Sequence, residues 1–61
     1  MYTIRERREP LGMTQAELAE KVEVNQAAVS NWESRKNVPL RKLHGKIAQA
    51  LHCAVYELDF G

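Results

Sequence analysis

Leu11–Pro39, LGMTQAELAEKVEVNQAAVSNWESRKNVP, is the stretch that decides how this 61-residue chain folds. Thr14 followed three residues later by Glu17 forms a capping box: the hydroxyl accepts the Glu17 N–H while the carboxylate reaches back to the Thr14 N–H. The segment it opens carries Leu18, Ala19 and Val22 on one helical face. Asn25 is a good N-cap for a further helix, Gln26 to about Glu33, with Val29 and Trp32 turned inward and Gln26, Ala27, Ser30 and Asn31 turned outward. Only Glu23 and Val24 separate the two segments. Helices joined by so short a turn cross steeply. Ala19 is small enough to let the second helix close on the first, and Leu18, Val22, Val24, Val29 and Trp32 fill the angle between them.

Outward from this pair the same local chemistry recurs. Thr3 and Glu6 make another capping box, opening a first helix that Pro10 and Gly12 stop. Pro39 precedes a fourth helix with Leu40, Leu43, Ile47 and Leu51 on one stripe, in which Gly45 costs roughly 1 kcal/mol relative to Ala. A last short helix, about Val55 to Asp59, folds Val55 and Leu58 back onto the others. Strand-like alternation is nowhere sustained. The expectation is an all-α fold of five short helices in one domain, residues 1–61, with a helix-turn-helix formed by helices 2 and 3.

Length and composition narrow the function classes. A chain of 61 residues buries only about 60% of its unfolded surface, which makes association with a second copy a natural supplement to its core. No apolar run approaches the roughly 18 residues of a membrane span, and the amino end lacks a secretory signal's apolar stretch, so a cytoplasmic protein is expected. One cysteine, Cys53, excludes an internal disulfide and reads as a small packing residue. His44, His52 and Cys53 do not have a recognised ligand spacing, so neither a metal nor another cofactor is expected. The chain carries no Ser/His/Asp set, no paired carboxylates in a pocket and no phosphate-cradling Gly loop, which argues against an enzyme.

Charge is uneven although the net value is only +1. Through Glu33 the chain is acidic by two. From Ser34 through Tyr56 there is no carboxylate, while Arg35, Lys36, Arg41, Lys42 and Lys46 supply positive charge. Such a run is either a solvated basic face or a contact for a polyanion. The outward residues of the third helix are short or amide-bearing and uncharged, which suits reading base edges in a major groove, although a protein partner would also accept such a face.

Leu11–Pro39 resembles the Cro/repressor-type (XRE) helix-turn-helix family, and IAQALHCAVYEL, residues 47–58, is similar to that domain's closing helices. TQAELA, the spacing of the inward positions, NWE at the end of the third helix, and a Pro six residues after that Glu carry the resemblance. It implies a lambda-repressor-like five-helix domain that binds double-stranded DNA, most often as a repressor. Gln26, Ala27, Ser30 and Asn31 then fall at base-reading positions, and an amide at Gln26 suits adenine. Gln15, Asn25, Arg35, Lys36, Arg41 and Lys42 fall at phosphate-binding ones, with Gln15 also placed to brace Gln26. Arg8 and Glu33 match a partly buried ion pair that relatives use between the first and third helices. Glu23, Arg35 and His52 stand where the family often ends a helix on left-handed Gly. Leu40 and Ala54 replace polar N-caps, and His44 replaces an apolar core residue, which leaves the register of the fourth helix open. A lone small domain whose one polar recognition helix reads few base pairs is further expected to bind a two-fold symmetric operator as a homodimer, meeting through the carboxyl-terminal part, where Val55, Tyr56, Phe60 and Leu58 give more apolar surface than one small core can hide. The alternative on the same fold is an antitoxin-like or anti-repressor module that covers another protein.

Overall fold

The computed structural model describes all residues, 1–61. Four α-helices carry the chain: α1 (Ile4–Arg8), α2 (Gln15–Val22), α3 (Gln26–Glu33) and α4 (His44–Ala50). Single 3-10 turns follow α1 at Glu9–Leu11, lead into α4 at Arg41–Leu43 and close the chain at Val55–Glu57. The last of these replaces the expected fifth helix. Ala54 has the extended backbone of an N-cap but no side-chain oxygen to act as one. Only half of a capping box forms there, the Ala54 N–H donating to the Glu57 carboxylate at 2.8 Å. No helix is long and apolar enough to cross a membrane.

Helix starts follow the sequence closely. Both Thr3/Glu6 and Thr14/Glu17 close as full capping boxes, and the Asn25 side chain accepts the Ala28 N–H at 2.9 Å. Helix ends follow one design. After α2, the Val24 N–H returns to the Ala19 carbonyl at 2.9 Å and the Glu23 N–H to Glu20 at 3.2 Å, with Glu23 left-handed between them (φ 64°). Lys36 to Asn31 and Arg35 to Trp32 repeat this after α3, and Cys53 to Ala48 and His52 to Gln49 repeat it after α4. These are Schellman closures, in which a left-handed residue turns two otherwise orphaned helix carbonyls into acceptors. Gly12, at φ 68°, serves the same purpose before α2. Glu23, Arg35 and His52 are the only non-glycine residues with positive φ, in agreement with the family comparison of those positions.

The core joins Ile4, Leu18, Ala19, Val22, Val29, Trp32, Ile47, Ala48, Leu51 and Leu58. Leu18, Val29, Ile47 and Leu51 have no exposure at all, so truncating any of them would cost about 2–5 kcal/mol. Two expected members are absent. Leu40 is 63% exposed, because it precedes the 3-10 turn Arg41–Leu43 and α4 begins only at His44, so α-helical spacing does not carry it onto the stripe of Ile47 and Leu51. Val55 is likewise exposed, since a single turn cannot bring both it and Leu58 inward. Leu58 is buried instead, which removes it from the expected contact surface. It is held there by the chain's amino end: the Tyr2 N–H donates to the Glu57 carbonyl and the Asp59 N–H to the Tyr2 carbonyl, each at 2.8 Å.

His44 does not take the core place of an apolar residue. Its ring stacks on Phe60, centroids 3.8 Å apart and nearly parallel, and its Nε2 lies 3.3 Å from the Pro39 carbonyl. The carboxyl-terminal tail is thereby folded over the loop between α3 and α4. Cys53 is half-buried against the core as a free thiol.

Candidate nucleic-acid interface

α3 packs against α2 through the short turn at Glu23 and Val24, and Ala19 is buried in the core that the two helices share. Val29 and Trp32 are buried in the angle. The opposite side of α3 therefore faces solvent: Gln26, Ala27 and Ser30 are exposed and Asn31 is half-buried. No charged residue interrupts this face. It offers amide and hydroxyl groups with a methyl at Ala27, the donor, acceptor and apolar set that discriminates base pairs in a major groove.

At the amino end of α2, the Gln15 and Ala16 N–H groups make no hydrogen bond within the protein. They are the orphan donors of a helix start, which favour an anion. The Gln15 side chain does not brace Gln26. Its Nε2 donates to Glu33 Oε1 at 3.1 Å. Asn25 has its side-chain oxygen committed to capping α3. Lys36, Arg41 and Lys42 are exposed, the first after α3 and the others in the 3-10 turn before α4. Arg35 points elsewhere, its guanidinium 3.6 Å from the Asp59 carboxylate in the tail. A phosphate at Arg35 would have to compete with Asp59.

Arg8 and Glu33 meet as a bidentate pair, Nε to Oε2 at 2.7 Å and Nη2 to Oε1 at 2.9 Å, with Arg8 Nη1 also donating to the Met13 carbonyl at 2.7 Å. Their side chains are 10% and 5% exposed. Burial acts to raise the Glu33 carboxyl, but the hydrogen bonds from Arg8 and Gln15, together with the Arg8 charge, outweigh it and hold the group below the usual carboxylate range. The hydrogen bond with Glu33 likewise raises Arg8, against the opposing effect of burial. This cluster ties the end of α3 to α1 and to the start of α2.

Two further links have no sequence signal. Lys46 of α4 pairs with Glu23 in the α2–α3 turn, and that hydrogen bond, followed by the Lys46 charge, lowers the Glu23 carboxyl. Arg7 Nη2 donates to the Leu51 and His52 carbonyls at the end of α4, both at 3.2 Å. Each pairs groups more than twenty residues apart.

A family model described as helix-turn-helix matches residues 4–58, all but the first three and last three residues. A comparison with curated proteins gave no match.

Proposed function

The chain belongs to the Cro/repressor-type (XRE) helix-turn-helix family, whose members are DNA-binding, and on that premise we propose that it is a sequence-specific repressor of transcription. α3 enters the major groove, with Gln26, Ala27, Ser30 and Asn31 against base edges. Gln15 and the free N–H groups of α2, with Asn25, Lys36, Arg41 and Lys42, fix the domain on the phosphate backbone; Arg35 joins them where Asp59 releases it. Repression follows from occupancy: a protein bound across a promoter denies it to the polymerase. The observation that carries this reading is the uncharged, exposed outer face of α3, set beside the carboxylate-free loop that follows it. A merely solvated helix would more often carry Lys and Glu there.

Two copies on a two-fold symmetric operator complete the proposal, since one short helix reads few base pairs. Selection of bound duplexes from a random pool tests it directly. Two inverted half-sites with centres about 34 Å apart are expected. A pool that converges on no motif would overturn the DNA reading, and a lone asymmetric site would overturn the dimer.

A further inference from the structure

The geometry points to Glu33 as the positioning residue of the phosphate contact at α2: it dictates, from the last residue of α3, which way the Gln15 amide faces. This rests on the DNA reading above. A glutamine amide has a donor end and an acceptor end of nearly the same shape, and only its partners decide which is which. A phosphate accepts and never donates at neutral pH, so a Gln side chain helps bind it only through its NH2 group. Glu33 is ionised and can only accept. With Gln15 Nε2 3.1 Å from Glu33 Oε1, the NH2 end of the amide is drawn to α3 and one of its two N–H bonds is used there. The second N–H on the same nitrogen makes no hydrogen bond within the protein, and neither do the Gln15 and Ala16 backbone N–H groups. Three donors thus remain at the start of α2, where the Thr14 hydroxyl and the Glu17 carboxylate are already engaged by backbone N–H groups in the capping box.

A carboxylate beneath a phosphate site would ordinarily repel it. Here Arg8 removes the objection. Both of its donors on Glu33 are shorter than 3 Å, its third goes to the Met13 carbonyl, and the Glu33 side chain is 5% exposed. The pair presents little net charge, while the Gln15 amide carries its orientation to the surface. Arg8 and Glu33 accordingly serve DNA affinity without touching DNA.

The test separates this role from simple bracing. Replacing both members, Arg8→Met with Glu33→Leu, removes the acceptor without stranding a charge, an exchange that folded proteins often tolerate. Gln15→Met removes the amide alone. Binding is measured on the duplex selected as above, at several salt concentrations, alongside thermal melts. Each variant should bind about tenfold more weakly, the usual scale for a lost hydrogen bond to a charged group. Combining them should be no worse than Gln15→Met alone, and the slope of log affinity against log salt should stay as in the wild type. Additive losses, or no loss in Gln15→Met, would overturn the inference; so would a slope flatter by about 0.9 in the Arg8 variant, which would mean that Arg8 itself meets phosphate. If the wild type selects no duplex at all, the DNA reading fails first and this role falls with it. A measurement without DNA stands beside these: one Gln15 side-chain amide proton should exchange slowly with solvent in the wild-type protein and fast in the Arg8→Met, Glu33→Leu variant. Equal exchange in both would mean that the link to Glu33 does not hold the amide.

Discussion

At the scale of single residues, Glu33 shows how burial and chemistry together set a stability dependence on pH. Its carboxyl is held low in the folded chain because Arg8 and Gln15 bind the ionised form more strongly than burial disfavours it. A group depressed on folding contributes its stability at pH values above its unfolded value, and loses it as pH falls through the folded one. The Arg8–Glu33 contribution should therefore be complete at neutral pH and fade below the ordinary carboxylate range. Glu33→Gln strands the Arg8 charge, and breaking a buried pair from one side costs about 3–5 kcal/mol. Thermal melts should show a large loss at pH 7 that narrows steadily under acid, against almost no change in Glu20→Gln, whose carboxylate is exposed. The DNA face separates at the same scale. Gln26→Ala or Asn31→Ala should cost about 1–3 kcal/mol on the selected site and relax its sequence preference. Lys36→Ala or Arg41→Ala should weaken binding on all sequences alike and flatten the salt slope by about 0.9 per contact. Binding measured on matched and scrambled duplexes distinguishes the groups; equal loss of preference in both would reverse the assignment of roles.

At the scale of elements, the helix ends carry untapped stability. Ala54 sits in N-cap geometry with the carboxylate half of a capping box already made by Glu57. Ala54→Ser adds a hydroxyl acceptor for the Glu57 N–H, which now donates to the Ala54 carbonyl alone at 3.0 Å. A gain of about 1 kcal/mol is expected, and in a domain this small each such kcal/mol raises the melting temperature by roughly 4–8 °C. An unchanged melt would mean that the last turn does not accept the cap. Glu23 holds two opposed effects, a left-handed backbone that glycine would relieve and an exposed pair with Lys46 that any neutral residue would remove. Glu23→Gln loses only the pair, so its small deficit should vanish at high salt. Glu23→Gly should melt above Glu23→Gln at every salt concentration, by the strain released; the opposite order would mean that glycine's freedom in the unfolded chain outweighs that strain. The same elements show what was legible beforehand. Thr3, Thr14 and Asn25 announced three helix starts because a cap acts over three residues of sequence. Leu40 and Val55 misled because an apolar residue at helical spacing says nothing of whether the turn is α or 3-10. Arg35–Asp59, Lys46–Glu23 and Arg7 on the end of α4 were invisible, since their partners lie 23 to 45 positions away and are brought near only by the finished fold.

At the scale of the whole molecule, size bears on how two copies would meet. The Cα envelope measures 24 × 23 × 18 Å, before side chains are added. Copies centred on half-sites about 34 Å apart would therefore touch along one edge rather than share a broad face. A stable dimer commonly buries about 800 Å² per partner, which is a large share of the 4058 Å² that this chain exposes. With Leu58 in the core and Phe60 stacked on His44, the apolar surface left in the carboxyl-terminal part is Tyr56, 80% exposed, and Val55, 43% exposed. That is a small contact, so the free protein should sediment as a monomer at micromolar concentration and pair on DNA, where the operator supplies the proximity. Tyr56→Glu places like charges at the two-fold contact. It should lower affinity for the full operator several-fold, leave binding to an isolated half-site unchanged, and abolish cooperativity between half-sites in a titration read by gel mobility. Equal weakening on both duplexes would place Tyr56 at the DNA, and a wild-type dimer that persists at nanomolar concentration would require a larger contact than these two side chains provide.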